Sequence, residues 1–92
     1  MIARRIVVRG RVQGVGYRDG MIGVAAAAGV TGWVRNRRDG TVEALVAGAP
    51  DAVQQVIAWC RDGPRYARVD GIDIVDAPAP GTQDGFVGLP TA

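Results

Sequence analysis

The stretch VQGVGYR, residues 12–18, combines two glycines, one aromatic residue and an arginine just after an apolar run that ends at Val8. Glycine lets the backbone adopt positive φ, so neighbouring N–H groups can converge into an anion-binding nest. A helix starting just beyond would add unpaired N–H groups and partial positive charge. Arg18 would bring a full charge and a two-pronged donor to the edge of that nest, which suits a phosphate group. Two well-known phosphate patterns do not match. The Walker pattern needs Gly-Lys-Ser/Thr, and the chain has no lysine. The dinucleotide pattern G-x-G-x-x-G fits Gly14 and Gly16 but meets Asp19 where its third glycine should stand. A plain glycine-rich turn between strand and helix accounts for the same residues equally well. A second constellation is GWVRN, residues 32–36. Its Asn36 falls at the end of a predicted strand, where asparagine often starts a turn, and its Trp33 reads as a packing residue.

Composition narrows the chemistry. The chain has 92 residues, the size of one domain, taken as 1–92. With 48% apolar and 22% charged residues it reads as a soluble globular protein, not a disordered one. No apolar run approaches the roughly 18 residues of a membrane span, and MIARRIVV is too short and too broken by arginine for a secretory signal. The single cysteine, Cys60, leaves no internal disulfide and fits a reducing compartment, so a cytoplasmic location is expected. The absence of histidine excludes a His-based triad and, with one cysteine, a zinc site of ordinary ligands. All eleven basic residues are arginine and the net charge is +2. Richness in alanine and glycine accounts for the missing lysines through composition. Arginines at 4, 5, 9, 11, 35, 37 and 38 could meet nucleic acid, but aspartates lie among them and aromatics make up only 5% of the chain. Base-stacking platforms are therefore poorly supplied, and nucleic acid is not the expected partner.

The elements that must position these residues follow from periodicity and punctuation. RRIVVR, residues 4–9, reads as a first strand ended by Gly10. Residues 20–28 read as a helix with Met21, Val24, Ala25 and Ala28 on one stripe and Gly29 as its stop, though Gly20 and Gly23 oppose it. Residues 30–36 and 41–47 read as strands joined through Asp39-Gly40, a hairpin signal that makes them antiparallel neighbours. Residues 51–62 form the clearest helix, with Asp51 and Gln54 spaced as a capping box, a stripe of Val53, Val56, Ile57 and Cys60, and Gly63 at its end. Residues 67–76 read as a fourth strand with a bulge at Gly71, and 86–89 as a short edge strand beyond the linker-like APAPGTQDG at 77–85. This order is the βαββαβ arrangement of a ferredoxin-like α+β sandwich: an antiparallel sheet of four or five strands with two helices on one face. Such a fold hosts many functions.

VRGRVQGVGYR followed by GVTGWVRN resembles the acylphosphatase family, small enzymes that hydrolyse carboxyl-phosphate anhydrides. The resemblance runs from residue 6 to about 74 and includes DGTVEALVAG and GPRYARVDGIDI. It implies the same ferredoxin-like fold. It further implies that the backbone N–H groups of Gln13, Gly14, Val15, Gly16, Tyr17 and Arg18 line a phosphate nest. The Arg18 guanidinium would hold the phosphate, and Asn36 would orient the attacking water. The family uses no metal or other cofactor and forms no covalent phospho-enzyme. The expected partners are a small acyl phosphate and, as a bound anion, phosphate or sulfate, with the chain a monomer that uses no membrane. The chain departs from the family pattern at Tyr17, where Phe is common, at Met21, where a small hydroxyl residue is often seen, in the glycine-rich stretch at 19–23, and in a weakly matched tail after 76.

The chemistry can proceed without histidine. The leaving group is a carboxylate, whose conjugate acid has a pKa of about 4, so no general acid is needed. Phosphoryl transfer then rests on positioning and electrostatics. No side-chain base is evident, so the substrate's own phosphate oxygen is expected to take the water proton. Asp19 reads as an acidic residue favouring a helix start, and Cys60 as a buried structural thiol. The alternative is a non-catalytic module that holds a phosphate-bearing ligand or RNA on the same fold. A third reading places such a domain in larger maturation enzymes acting on carbamoyl phosphate; a chain of this length favours the stand-alone role.

Overall fold

The structure, a computed structural model, describes residues 1–79 and 85–92. It contains strands β1 (Ile2–Arg11), β2 (Thr31–Asn36), β3 (Val42–Gly48), β4 (Arg68–Asp76) and β5 (Phe86–Gly88), with helices α1 (Tyr17–Ala28) and α2 (Pro50–Asp62). The strands form one sheet in the order β4-β1-β3-β2-β5. The first four make the antiparallel core of a ferredoxin-like sandwich. The fifth strand corrects the all-antiparallel expectation: β5 pairs parallel to β2, through Gly32 to Phe86, Trp33 to Val87 and Val34 to Gly88. The greater part of the stretch predicted as a linker, residues 80–84, lies outside the described residues.

Alternation along the strands decides which face is covered. Ile6 and Val8 of β1, Val34 of β2, and Val42, Ala44 and Val46 of β3 point to the helices and are fully buried or nearly so. Met21 and Ala25 of α1 and Val53, Val56, Ile57 and Cys60 of α2 close over them. Burying each of the larger of these side chains contributes about 1.5–3 kcal/mol.

Strand direction places the ends of β1 and β2 together. Both run antiparallel to β3, so they are parallel to each other and finish at the same edge of the sheet. Whatever follows β1 therefore meets the last residue of β2, which is Asn36.

Three local expectations are revised. Helix α1 begins at Tyr17 instead of residue 20, which brings Tyr17 and Arg18 into its first turn. Helix α2 has Ala49 at its N-cap with Pro50 opening the helix, and no side chain caps it; Asp51 is inside the first turn and forms no capping box. The bulge of β4 falls one residue early: Arg9 faces Gly71 and Gly10 faces Val69, so Asp70 is the extra residue.

The uncovered face of the sheet carries charge. Glu43 of β3 is nearly buried there, accepting hydrogen bonds from Arg5 and from Arg35, the latter at 2.8 Å. Arg35 also stacks over Trp33 at 4.8 Å, so Trp33 packs on the open face and not in the core. Burial alone would raise the Glu43 pKa. The hydrogen bonds and charges of Arg35 and Arg5 outweigh it and hold the carboxyl below the usual glutamate range.

Two measurements follow from this packing. A Cβ on Gly20 would stand 2.6 Å from Cζ2 of Trp59, whereas one on Gly23 would meet nothing within 4 Å. In urea denaturation, Gly23→Ala should gain about 0.5–1 kcal/mol from helix propensity. Gly20→Ala should lose stability instead, its overpacking cost of about 1–3 kcal/mol exceeding that gain. For Glu43, a lowered folded pKa means that its stabilisation is complete above the unfolded value near 4.5 and is lost as pH falls through the folded value. Glu43→Gln should cost about 1–3 kcal/mol at neutral pH and flatten the acid limb of the stability profile; an unchanged limb would show that the bridge contributes nothing.

Candidate active site

The passage from β1 to α1 is built around two glycines in the left-handed region. Gly14 has φ 72° and Gly16 has φ 82°, and no described non-glycine residue has positive φ. Gly16 is the N-cap of α1, and no side chain caps the helix. The first backbone bond of the helix runs from the N–H of Gly20 to the carbonyl of Gly16 at 3.0 Å. The preceding N–H groups of the first turn are thus left open. The N–H groups of residues 13–16 also find no partner among the described residues. A run of unpaired donors at the positive end of a helix is an arrangement that favours anions.

Asn36 faces this loop. It lies two residues beyond the buried Val34 and so shares its face of the sheet. Its backbone carbonyl accepts from the N–H of Ala92 at 3.0 Å. Its side-chain Oδ1 is buried without a hydrogen-bond partner among the described residues. A buried acceptor left unpaired costs about 1–3 kcal/mol, so such an atom marks a place for water or ligand.

One cavity of about 140 Å³ joins these parts, lined by Val12, Gly14, Gly16, Tyr17, Arg18, Asp19 and Asn36. Of the residues singled out from sequence, it gathers Gly14, Gly16, Tyr17, Arg18 and Asn36. Gln13 and Val15 are not on its wall. Sequence reasoning did not place Val12 or Asp19 there. The volume falls below the roughly 300–1,000 Å³ of a site that encloses a drug-sized ligand. It admits a small anion and a water, so anything attached to that anion must project into solvent.

Tyr17 and Cys60 fix the far side of the loop. Tyr17 is 1% exposed, and its hydroxyl donates to the Cys60 carbonyl at 2.6 Å, tying the start of α1 to the end of α2. Burial, with the Cys60 group beside it, pushes the Tyr17 pKa up, so the hydroxyl stays a neutral donor. Burial also pushes the Cys60 thiol up to about 11, against smaller lowering effects of Tyr17 and Arg61. A buried protonated thiol is a poor nucleophile, as the sequence reading of Cys60 expected.

Arg18 is exposed at the cavity and makes no ion pair with a described residue. A second, more open depression is lined by Arg5, Arg35, Arg37, Arg38, Asp39, Glu43 and Ala92. Its charge is partly spent: Arg5 and Arg35 bind Glu43, and Arg37 lies 3.9 Å from Asp39. Among the described residues, Arg18 is an uncommitted guanidinium beside unpaired N–H groups.

Comparison with known proteins bears on the family and the fold. A family model described as Acylphosphatase matches residues 4–87. An acylphosphatase of Nitrobacter hamburgensis is 58% identical over 72 residues, covering 78% of this chain and 73% of that protein. One of Rhizorhabdus wittichii is 52% identical over 90 residues, covering 98% and 90%. The crystal structure of acylphosphatase from Bacillus subtilis superposes with a TM-score of 0.92 at 34% identity, over 97% of this chain and 99% of that one.

Proposed function

The chain belongs to the acylphosphatase family, whose reaction is the hydrolysis of acyl phosphates, and from that premise we propose how its own residues carry the reaction. The N–H groups of residues 13–18 and the Arg18 guanidinium hold the phosphoryl group. Asn36 positions the water. The observation that supports this reading most is the unpaired Oδ1 of Asn36, which borders the same cavity as Arg18 and the open end of α1.

The Oδ1 accepts one hydrogen bond from a water and leaves a lone pair of that water aimed at phosphorus. A new P–O bond forms from this water while the bond between phosphorus and the acyl oxygen breaks. The products are a carboxylate and inorganic phosphate. The departing carboxylate has a conjugate acid of pKa about 4 and leaves unprotonated. The water proton passes to a phosphoryl oxygen of the substrate. Charge on the peripheral oxygens is met by donors already in place, which need no reorganisation as the reaction proceeds. The acyl group projects from a cavity of about 140 Å³ into solvent, so the acyl part is read weakly and simple acyl phosphates are turned over alike. We further read the chain as a single domain, a monomer acting in the cytoplasm, with phosphate or sulfate as competing anions and neither membrane nor nucleic acid as partner.

Hydrolysis of benzoyl phosphate in chelator-treated buffer tests the assignment. Wild type should turn over without added metal. Arg18→Ala should lose both turnover and inhibition by inorganic phosphate. Asn36→Ala should keep phosphate inhibition and lose about 10²-fold or more in kcat, because only water positioning is removed. Retained phosphate inhibition in Arg18→Ala would contradict its role. Loss of phosphate binding in Asn36→Ala would mean that the two roles are wrongly divided. A folded wild type that binds phosphate without turnover would leave a phosphate-holding module. The kinetic pH profile should show no essential enzyme base near neutrality.

A further inference from the structure

The side chain of Gln13 reaches away from the cavity and across to the hairpin between β2 and β3. Its Nε2 donates to the carbonyl of Arg37 at 2.7 Å and to the carbonyl of Thr41 at 2.9 Å. Those two carbonyls form the neck of the hairpin. The N–H of Arg37 donates to the Thr41 carbonyl at 2.9 Å, and the N–H of Gly40 donates to the Arg37 carbonyl at 3.1 Å. Each carbonyl therefore accepts two hydrogen bonds, one from the hairpin itself and one from Gln13, and both lone pairs are used. The primary amide suits this place because it offers two protons to two acceptors. An ionised carboxylate would offer none.

The neck starts one residue after Asn36. Among the described residues, no other hydrogen bond joins residues 12–16 to this hairpin. Gln13 is thus the polar tie between the element that would hold the phosphate and the residue that would hold the water. We propose that Gln13 is a positioning residue: its side-chain amide sets the separation between the phosphate nest and the water on Asn36. The proposal rests on the division of roles given for Arg18 and Asn36. It makes the amide, and not just the backbone of Gln13, part of what the reaction needs.

Displacing one reacting partner by about 1 Å can cost about 10²-fold in rate. Gln13→Ala and Gln13→Glu keep the backbone N–H and change the tie alone. In both, kcat for benzoyl phosphate should fall about 10- to 100-fold at neutral pH, while the inhibition constant of inorganic phosphate changes less than threefold or so. The pH profile separates positioning from plain structural support. An ionised glutamate is repelled by the two carbonyls, whereas a protonated one can donate to one of them. The kcat of Gln13→Glu relative to wild type should therefore rise as pH falls through the carboxyl pKa, and that of Gln13→Ala should stay flat. Urea midpoints of each variant report folding separately. Wild-type kcat in Gln13→Ala, or no acid recovery in a folded Gln13→Glu, would overturn the proposal. Inactive wild type, or an Arg18→Ala that is still inhibited by phosphate, would defeat the assignment of the site itself instead.

Discussion

The exit from β1 leaves several backbone N–H groups in succession without a partner among the described residues. Gly14 and Gly16 make this possible: their left-handed geometry turns the chain without consuming the donors. Much else in the molecule keeps that open turn from closing on itself. Val12, 1% exposed, roots its start in the core. Tyr17 fastens its end to α2 through the Cys60 carbonyl. Gln13 fastens its middle to the β2–β3 hairpin. In the proposed function these donors are in place before an anion arrives, and preorganised donors stabilise charge without reorganisation during the reaction.

The sheet supplies the second half. Because β1 and β2 both oppose β3, the loop and Asn36 come to the same edge. Because side chains alternate along β2, Asn36 follows Val34 onto the helix-covered face and not onto the open one. The open face has separate electrostatics. There Glu43 gathers Arg5 and Arg35, and this bridge takes up much of the basic charge on that face.

What could be read from sequence was what neighbouring residues determine. Asp39-Gly40 announced the hairpin, the stripe from Val53 to Cys60 announced α2, and Gly29 and Gly63 marked helix ends. The start of α1 lies three residues before the one its pattern suggests because Gly16, not a Ser, Thr, Asn or Asp, is its N-cap, and because Gly20 and Gly23 weaken the helical signal. Gly20 is there for Trp59, a residue far along the chain whose ring fills the space a Cβ would need. Asp51 looked like a cap because its spacing to Gln54 fits, but Pro50 had already begun the helix. The direction of β5 depends on which edge a short segment meets, and three residues carry no such signal. The contacts of the Gln13 side chain are hidden for the same reason: its partners lie 24 and 28 residues away.

The location of the site is tested most directly by amide NMR during titration with inorganic phosphate. The backbone N–H signals of Gly14, Gly16, Tyr17 and Arg18 should move most, with the side-chain amide of Asn36 responding in the same titration and a single affinity fitting all of them. The largest shifts falling instead on Arg5, Arg35, Arg37 and Arg38, with the loop amides unmoved, would contradict the account by putting the anion on the open face of the sheet.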